Sequence, residues 1–72
     1  MNKTFYQFLM TQRNPGSTNP IAEFANNAFY DQSFPKQLDA FEPLSKYLEE
    51  NASYLPNMEI FDDVWKMYEE SM

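Results

Sequence analysis

This chain of 72 residues has no cysteine, no histidine and a single glycine. Without cysteine there is no disulfide staple and no thiolate for catalysis or metal binding. Without histidine the commonest general base at neutral pH and the commonest zinc ligand are both missing. One glycine, Gly16, cannot make a phosphate-cradling loop, which needs several glycines and a Gly-Lys-Ser/Thr ending. Pro15-Gly16 reads as a turn instead. No uncharged apolar run approaches the roughly 20 residues that span a bilayer. Met1-Asn2-Lys3-Thr4 leads straight into an amphipathic pattern with no signal-peptide core, so a cytoplasmic location is expected.

Positive charge is scarce too. Five Lys and Arg stand against eleven Asp and Glu, a formal net charge of −6. The imbalance is one-sided. Residues 1–38 hold Lys3, Arg13 and Lys36 against Glu23 and Asp31, a net +1. Residues 39–72 hold Lys46 and Lys66 against nine acids, a net −7. Solvated helix faces account for such a pattern, and the acidic half repels phosphate.

What the chain does have is aromatic mass: seven Phe, five Tyr and one Trp. A chain this short forms one domain, residues 1–72, and buries only about 60% of its unfolded surface. Each aromatic side chain can bury on the order of 150–250 Å², so few can be spared. Ile60, Phe61, Val64, Trp65 and Tyr68 recur at three- and four-residue spacing within the longest amphipathic run, about Met58 to Ser71. Phe61-Asp62-Asp63-Val64-Trp65 is therefore read as the centre of the fold. The expected core is Phe5, Phe8, Leu9, Phe24, Phe29, Leu44, Leu48, Phe61, Val64 and Trp65.

Three more helices precede that run. Thr4 and Gln7 match a capping box, and Phe5, Phe8 and Leu9 share a face, predicting a helix over about Phe5 to Arg13. Asn19 followed by Pro20 starts a second helix, with Ile21, Phe24, Ala25, Ala28 and Phe29 as its apolar side and an end near Tyr30 or Asp31. Pro35 breaks the chain after Phe34, which is expected to plug the core. A third helix, with Phe41, Leu44, Tyr47 and Leu48 on one side, ends near Asn51. Its start has two readings, an N-cap at Asp39 or one at Glu42 with Pro43 next. Pro56 and Asn57 punctuate the entry to the last helix. No strand-like alternation or internal repeat appears. The expected fold is an all-α bundle of four short helices, with room for a fifth short turn.

Four segments then resemble a known family. Phe5-Tyr6-Gln7-Phe8-Leu9-Met10-Thr11, Phe34-Pro35-Lys36, Leu44-Ser45-Lys46-Tyr47-Leu48-Glu49 and Phe61-Asp62-Asp63-Val64-Trp65 look like the YozE-like family of small bacterial proteins. The resemblance implies a SAM-like helical fold and brings no catalytic residues with it. SAM-like folds serve both protein and DNA recognition, so the likeness alone does not choose a partner.

The residues argue against catalysis. Glu49-Glu50, Asp62-Asp63 and Glu69-Glu70 are sequence neighbours, which point about 100° apart on a helix and cannot share a proton. Glu59, Asp62 and Asp63 can share a face, but acid in the first turns is ordinary helix-dipole chemistry rather than a cation site. No catalytic residue, cofactor or metal is expected. The expected role is a non-enzymatic protein-interaction module and a monomer. Its candidate surface is Tyr6, Met10, Tyr30, Tyr54 and Met67, since Tyr and Met are enriched at contact surfaces. The alternative is nucleic-acid binding through Lys3, Arg13 and Lys36, with Tyr6 or Phe34 stacking on bases. A membrane surface fits badly, because the strongest amphipathic helix is acidic.

Overall fold

A computed structural model describes residues 3–71. Among them are four helices and no strand: α1 (Phe5–Met10), α2 (Pro20–Tyr30), α3 (Phe41–Asn51) and α4 (Met58–Glu70). The all-α bundle read from the sequence is the observed one.

Local chemistry sets most of the ends. The capping box of α1 is complete: the Gln7 N–H donates to Thr4 Oγ1 at 3.3 Å, and the Thr4 N–H to Gln7 Oε1 at 2.9 Å. Asn19 Oδ1 accepts from the Ile21 N–H at 2.8 Å, with Pro20 at the first helical position. α1 stops at Met10, one turn short of the expected Arg13. There the Thr11 hydroxyl bonds back to the Phe8 carbonyl at 2.6 Å, and the Gln12 and Arg13 N–H groups reach only three residues back. α3 begins at neither expected residue. Its N-cap is Ala40, with no side-chain hydrogen bond, and Pro43 falls at the third position. An N–H there has no intrahelical acceptor, so proline loses nothing. Asn57 is the N-cap of α4 by backbone, although its side chain makes no capping bond.

α4 packs against each of the other three helices, and α1 also packs against α2. α3 meets no helix but α4. The expected centre is confirmed in position and changed in emphasis. Phe61, Val64 and Tyr68 are the buried residues of α4, while Trp65 is half-buried at the edge. Phe5, on α1, is fully buried and meets Phe61 and Tyr68 edge to face, at 5.4 and 5.6 Å between ring centres. Trp65 closes the group from outside, with Phe5 at 5.6 Å and Tyr68 at 5.1 Å.

Phe34 is buried and plugs the core as expected, between Tyr6 at 5.3 Å and Tyr47 at 5.8 Å. Phe29 corrects the expected core. The buried side of α2 is Ala22, Phe24, Ala25 and Ala28. Phe29 lies a further 100° round from Ala28 and is 44% exposed. Among the described residues no helix is long and apolar enough to cross a membrane.

Candidate functional site

α2 ends on a large polar and aromatic cluster. Asp31, its C-cap, stands at the negative end of the helix dipole, where a carboxylate is locally unfavourable. The fold offsets that with donors from distant elements. Asp31 Oδ2 accepts from the Tyr47 hydroxyl of α3 at 2.7 Å and from the Tyr54 hydroxyl of the α3–α4 connector at 2.8 Å. Oδ1 accepts from the Ser33 N–H at 3.1 Å. One carboxylate thus ties the end of α2 to α3 and to the segment beyond it. The phenols respond. Burial, then the hydrogen bond to Asp31 and its charge, push Tyr47 up to about 12. Tyr54 is raised for the same causes in the same order.

The two residues before Asp31 are the most outward aromatics of the fold. Tyr30 is 74% exposed and Phe29 44%. Their rings meet edge to face at 5.1 Å. Arg13 covers the other side of this pair: its guanidinium carbon lies 3.7 Å from the centre of the Phe29 ring. The corner is pinned by Asn26, whose Nδ2 donates to the Asn14 carbonyl at 3.0 Å. Arg13 Nε and Asn26 Oδ1 are buried there without a partner.

The residues singled out from the sequence do not form one surface. Tyr6, Met10, Tyr54 and Met67 are half-buried against the core, and Tyr30 alone stands out. Tyr6 is linked through Phe34 and Tyr47 to Asp31, and Asp31 in turn holds Tyr54. Met67 lies elsewhere, on the floor of a 310 Å³ cleft with Gln12, Asn14 and Asn19 on its rim. Of the cations, Lys36 sits over the Tyr6 ring at 5.5 Å and Arg13 over Phe29. Lys3 and Lys36 belong to segments joined by the Phe5 N–H bond to the Leu38 carbonyl. Arg13 follows the opposite end of α1.

Among the described residues no group of three or more carboxylates is placed to hold a metal ion, Glu59, Asp62 and Asp63 included. A 640 Å³ open cleft between the end of α3 and the start of α4 carries Glu49 and Glu50 on its lining, with Asn51, Ser53 and Asn57.

Sequence reading missed Asp31 and the Arg13–Phe29 stack. The first had a signal in a carboxylate placed where a helix dipole disfavours it. The second had none, since nothing local relates residues on separate elements.

A family model described as YozE SAM-like fold matches residues 4–70. The UPF0346 protein of Levilactobacillus brevis is 72% identical over 68 residues, 94% of this chain and 93% of the relative. That of Lactiplantibacillus plantarum is 71% identical over 68 residues, with the same coverage. That of Limosilactobacillus reuteri is 57% identical over 72 residues, all of this chain and 99% of the relative.

Proposed function

The chain belongs to the YozE SAM-like family, and on that premise we propose that it is a non-enzymatic, cytoplasmic protein-interaction module that docks a partner on the end of α2. The observation that carries this is the Phe29–Tyr30 pair. A fold that needs its aromatics for the core leaves these two outside, packed on each other and braced by Arg13. Exposed Tyr and Phe beside a partly buried Arg have the composition of an interface centre. Asp31 supports the reading, because its bonds to Tyr47 and Tyr54 hold the end of α2 rigid before a partner arrives. The four half-buried residues, Tyr6, Met10, Tyr54 and Met67, act here as support for the core rather than as contacts.

Nucleic-acid binding through Lys3, Arg13 and Lys36 is the second reading. In its favour, two of those cations already sit on aromatic rings. Against it, the nine acids after residue 38 repel a polyanion laid along the domain.

A photo-crosslinking residue at position 30, compared with one at Asp62 on the exposed side of α4, tests the reading in cells. A protein adduct formed from position 30, resistant to nuclease and abolished by Phe29→Ala, is the expected result. Adducts formed only from position 62, or only to nucleic acid, would overturn it.

A further inference from the structure

Arg13 holds a charge that a purely apolar partner leaves unused. Its guanidinium carbon lies over Phe29, 3.7 Å from the ring centre, so the ring holds the fork in place. Nε is buried and meets no acceptor; the two Nη atoms are not among the buried unpaired atoms, so their edge stays open to water. Beside it Tyr30 is 74% exposed. The chain has eleven carboxylates, yet among the described residues none is spent on this arginine. A planar cation held by a ring, with its Nη donors open to water, can take a carboxylate in a bidentate pair.

We propose that the partner segment presents a single carboxylate, from an Asp or Glu side chain, to the Nη edge of Arg13, and lays a neighbouring apolar side chain on Phe29 and Tyr30. This rests on the docking reading above and names its chemistry. Charge complementarity supports it. Arg13 is a cation whose fork meets no carboxylate among the described residues, and its Nε has no partner at all. The domain measures 30 × 24 × 22 Å, and exposed charges more than about 8 Å apart are largely screened at physiological salt. The nine acids after residue 38 oppose a polyanion laid along the domain, whereas a short segment need meet only the groups around Arg13. That contrast favours an acidic peptide over nucleic acid.

Selection of a random peptide library on phage against the full chain tests this, with Arg13→Gln, Arg13→Lys and Tyr30→Ala as counter-targets and oligothymidylate as competitor. The expected winners carry an Asp or Glu beside an apolar residue. A winning peptide loses affinity by roughly tenfold or more on Arg13→Gln, and by a similar factor when its own acid becomes the amide. Arg13→Lys restores only part, because an ammonium keeps the charge and lacks the fork. Winners without acid that need Tyr30 but bind Arg13→Gln unchanged overturn the carboxylate seat and leave the docking surface standing. Winners indifferent to Tyr30→Ala, or none at all, overturn both. Displacement by oligothymidylate that fades steeply with salt overturns the choice of a peptide partner. Thermal unfolding of each variant shows that it is folded, and if Arg13→Gln is not, Arg13→Lys and the peptide's own acid-to-amide change decide.

Discussion

The hydroxyl of Tyr68, buried on α4, donates a 2.6 Å hydrogen bond to the carbonyl oxygen of Lys3, 65 residues earlier. It ties the segment before α1 to the helix that all the others pack on. Removing the hydroxyl in Tyr68→Phe leaves the ring packing intact and the carbonyl unpaired. The expected cost is about 1–2 kcal/mol, read from the urea midpoint at unchanged slope. A midpoint equal to wild type would show that water replaces the phenol there.

The Asp31 cluster has a larger stake, because one carboxylate serves two phenols. Asp31→Ala strands the Tyr47 and Tyr54 hydroxyls and is expected to cost about 1.5–3 kcal/mol. Tyr54→Phe in the Asp31→Ala background then costs far less than in wild type, a coupling of about 0.5–3 kcal/mol. Strict additivity in the double-mutant cycle would separate the two residues.

The same cluster gives the fold an alkaline limit. Burial and Asp31 raise Tyr47 to about 12 and Tyr54 further, and burial followed by the charge of Asp39 raises Tyr68. An unfolded phenol loses its proton near pH 10. Stability held by these groups is thus fully present below about pH 10 and lost as the pH climbs toward the folded values, since only the unfolded chain releases protons in that window. Denaturant midpoints that stay level up to about pH 9–10 and then fall are expected, with a shallower fall in Tyr47→Phe. A midpoint that holds level well above pH 10 would contradict this.

Core truncations should rank by burial rather than by size. Phe61 is fully buried, whereas Trp65 lies at the edge. Phe61→Ala is expected to cost about 3–5 kcal/mol and Trp65→Ala less, nearer about 2–3 kcal/mol. The reverse order in thermal unfolding would restore Trp65 to the centre.

Tyr30 makes the opposite case. At 74% exposed it supports little of the fold, so Tyr30→Ala is expected to shift stability by no more than about 0.5 kcal/mol. The docking proposed for that surface is nevertheless expected to be lost, read as loss of binding to the phage-selected peptide. A variant as destabilised as a core truncation would mean that Tyr30 is structural.

Much of this architecture was legible in local chemistry. Thr4 with Gln7 and Asn19 with Pro20 announce helix starts within four residues of chain, and the structure forms both as read. Phe34 was legible because a proline neighbour and a scarcity of apolar mass leave an aromatic one useful place. The failures share a cause. Phe29 follows the apolar side of α2 by spacing, but the buried side is Ala22, Phe24, Ala25 and Ala28, so it is centred further round than the larger residues suggest. Ala40 starts α3 without a capping side chain, so its boundary is set by packing of Phe41 over Phe61, 5.2 Å away, and not by a motif. The candidate site was least legible. Asp31 meets phenols 16 and 23 residues on, and Arg13 meets Phe29 from another element. No local period encodes such meetings.

α4, the common partner of three helices, is translated after all of them. While it is still being made, α1 and α2 have only each other, and α3 has no helix to rest on. The ribosome therefore releases a chain whose apolar sides stay uncovered until residues 58–70 emerge. A chain cut before residue 58 lacks Phe61 and Tyr68, the two rings that meet Phe5 edge to face, and is expected to stay unfolded.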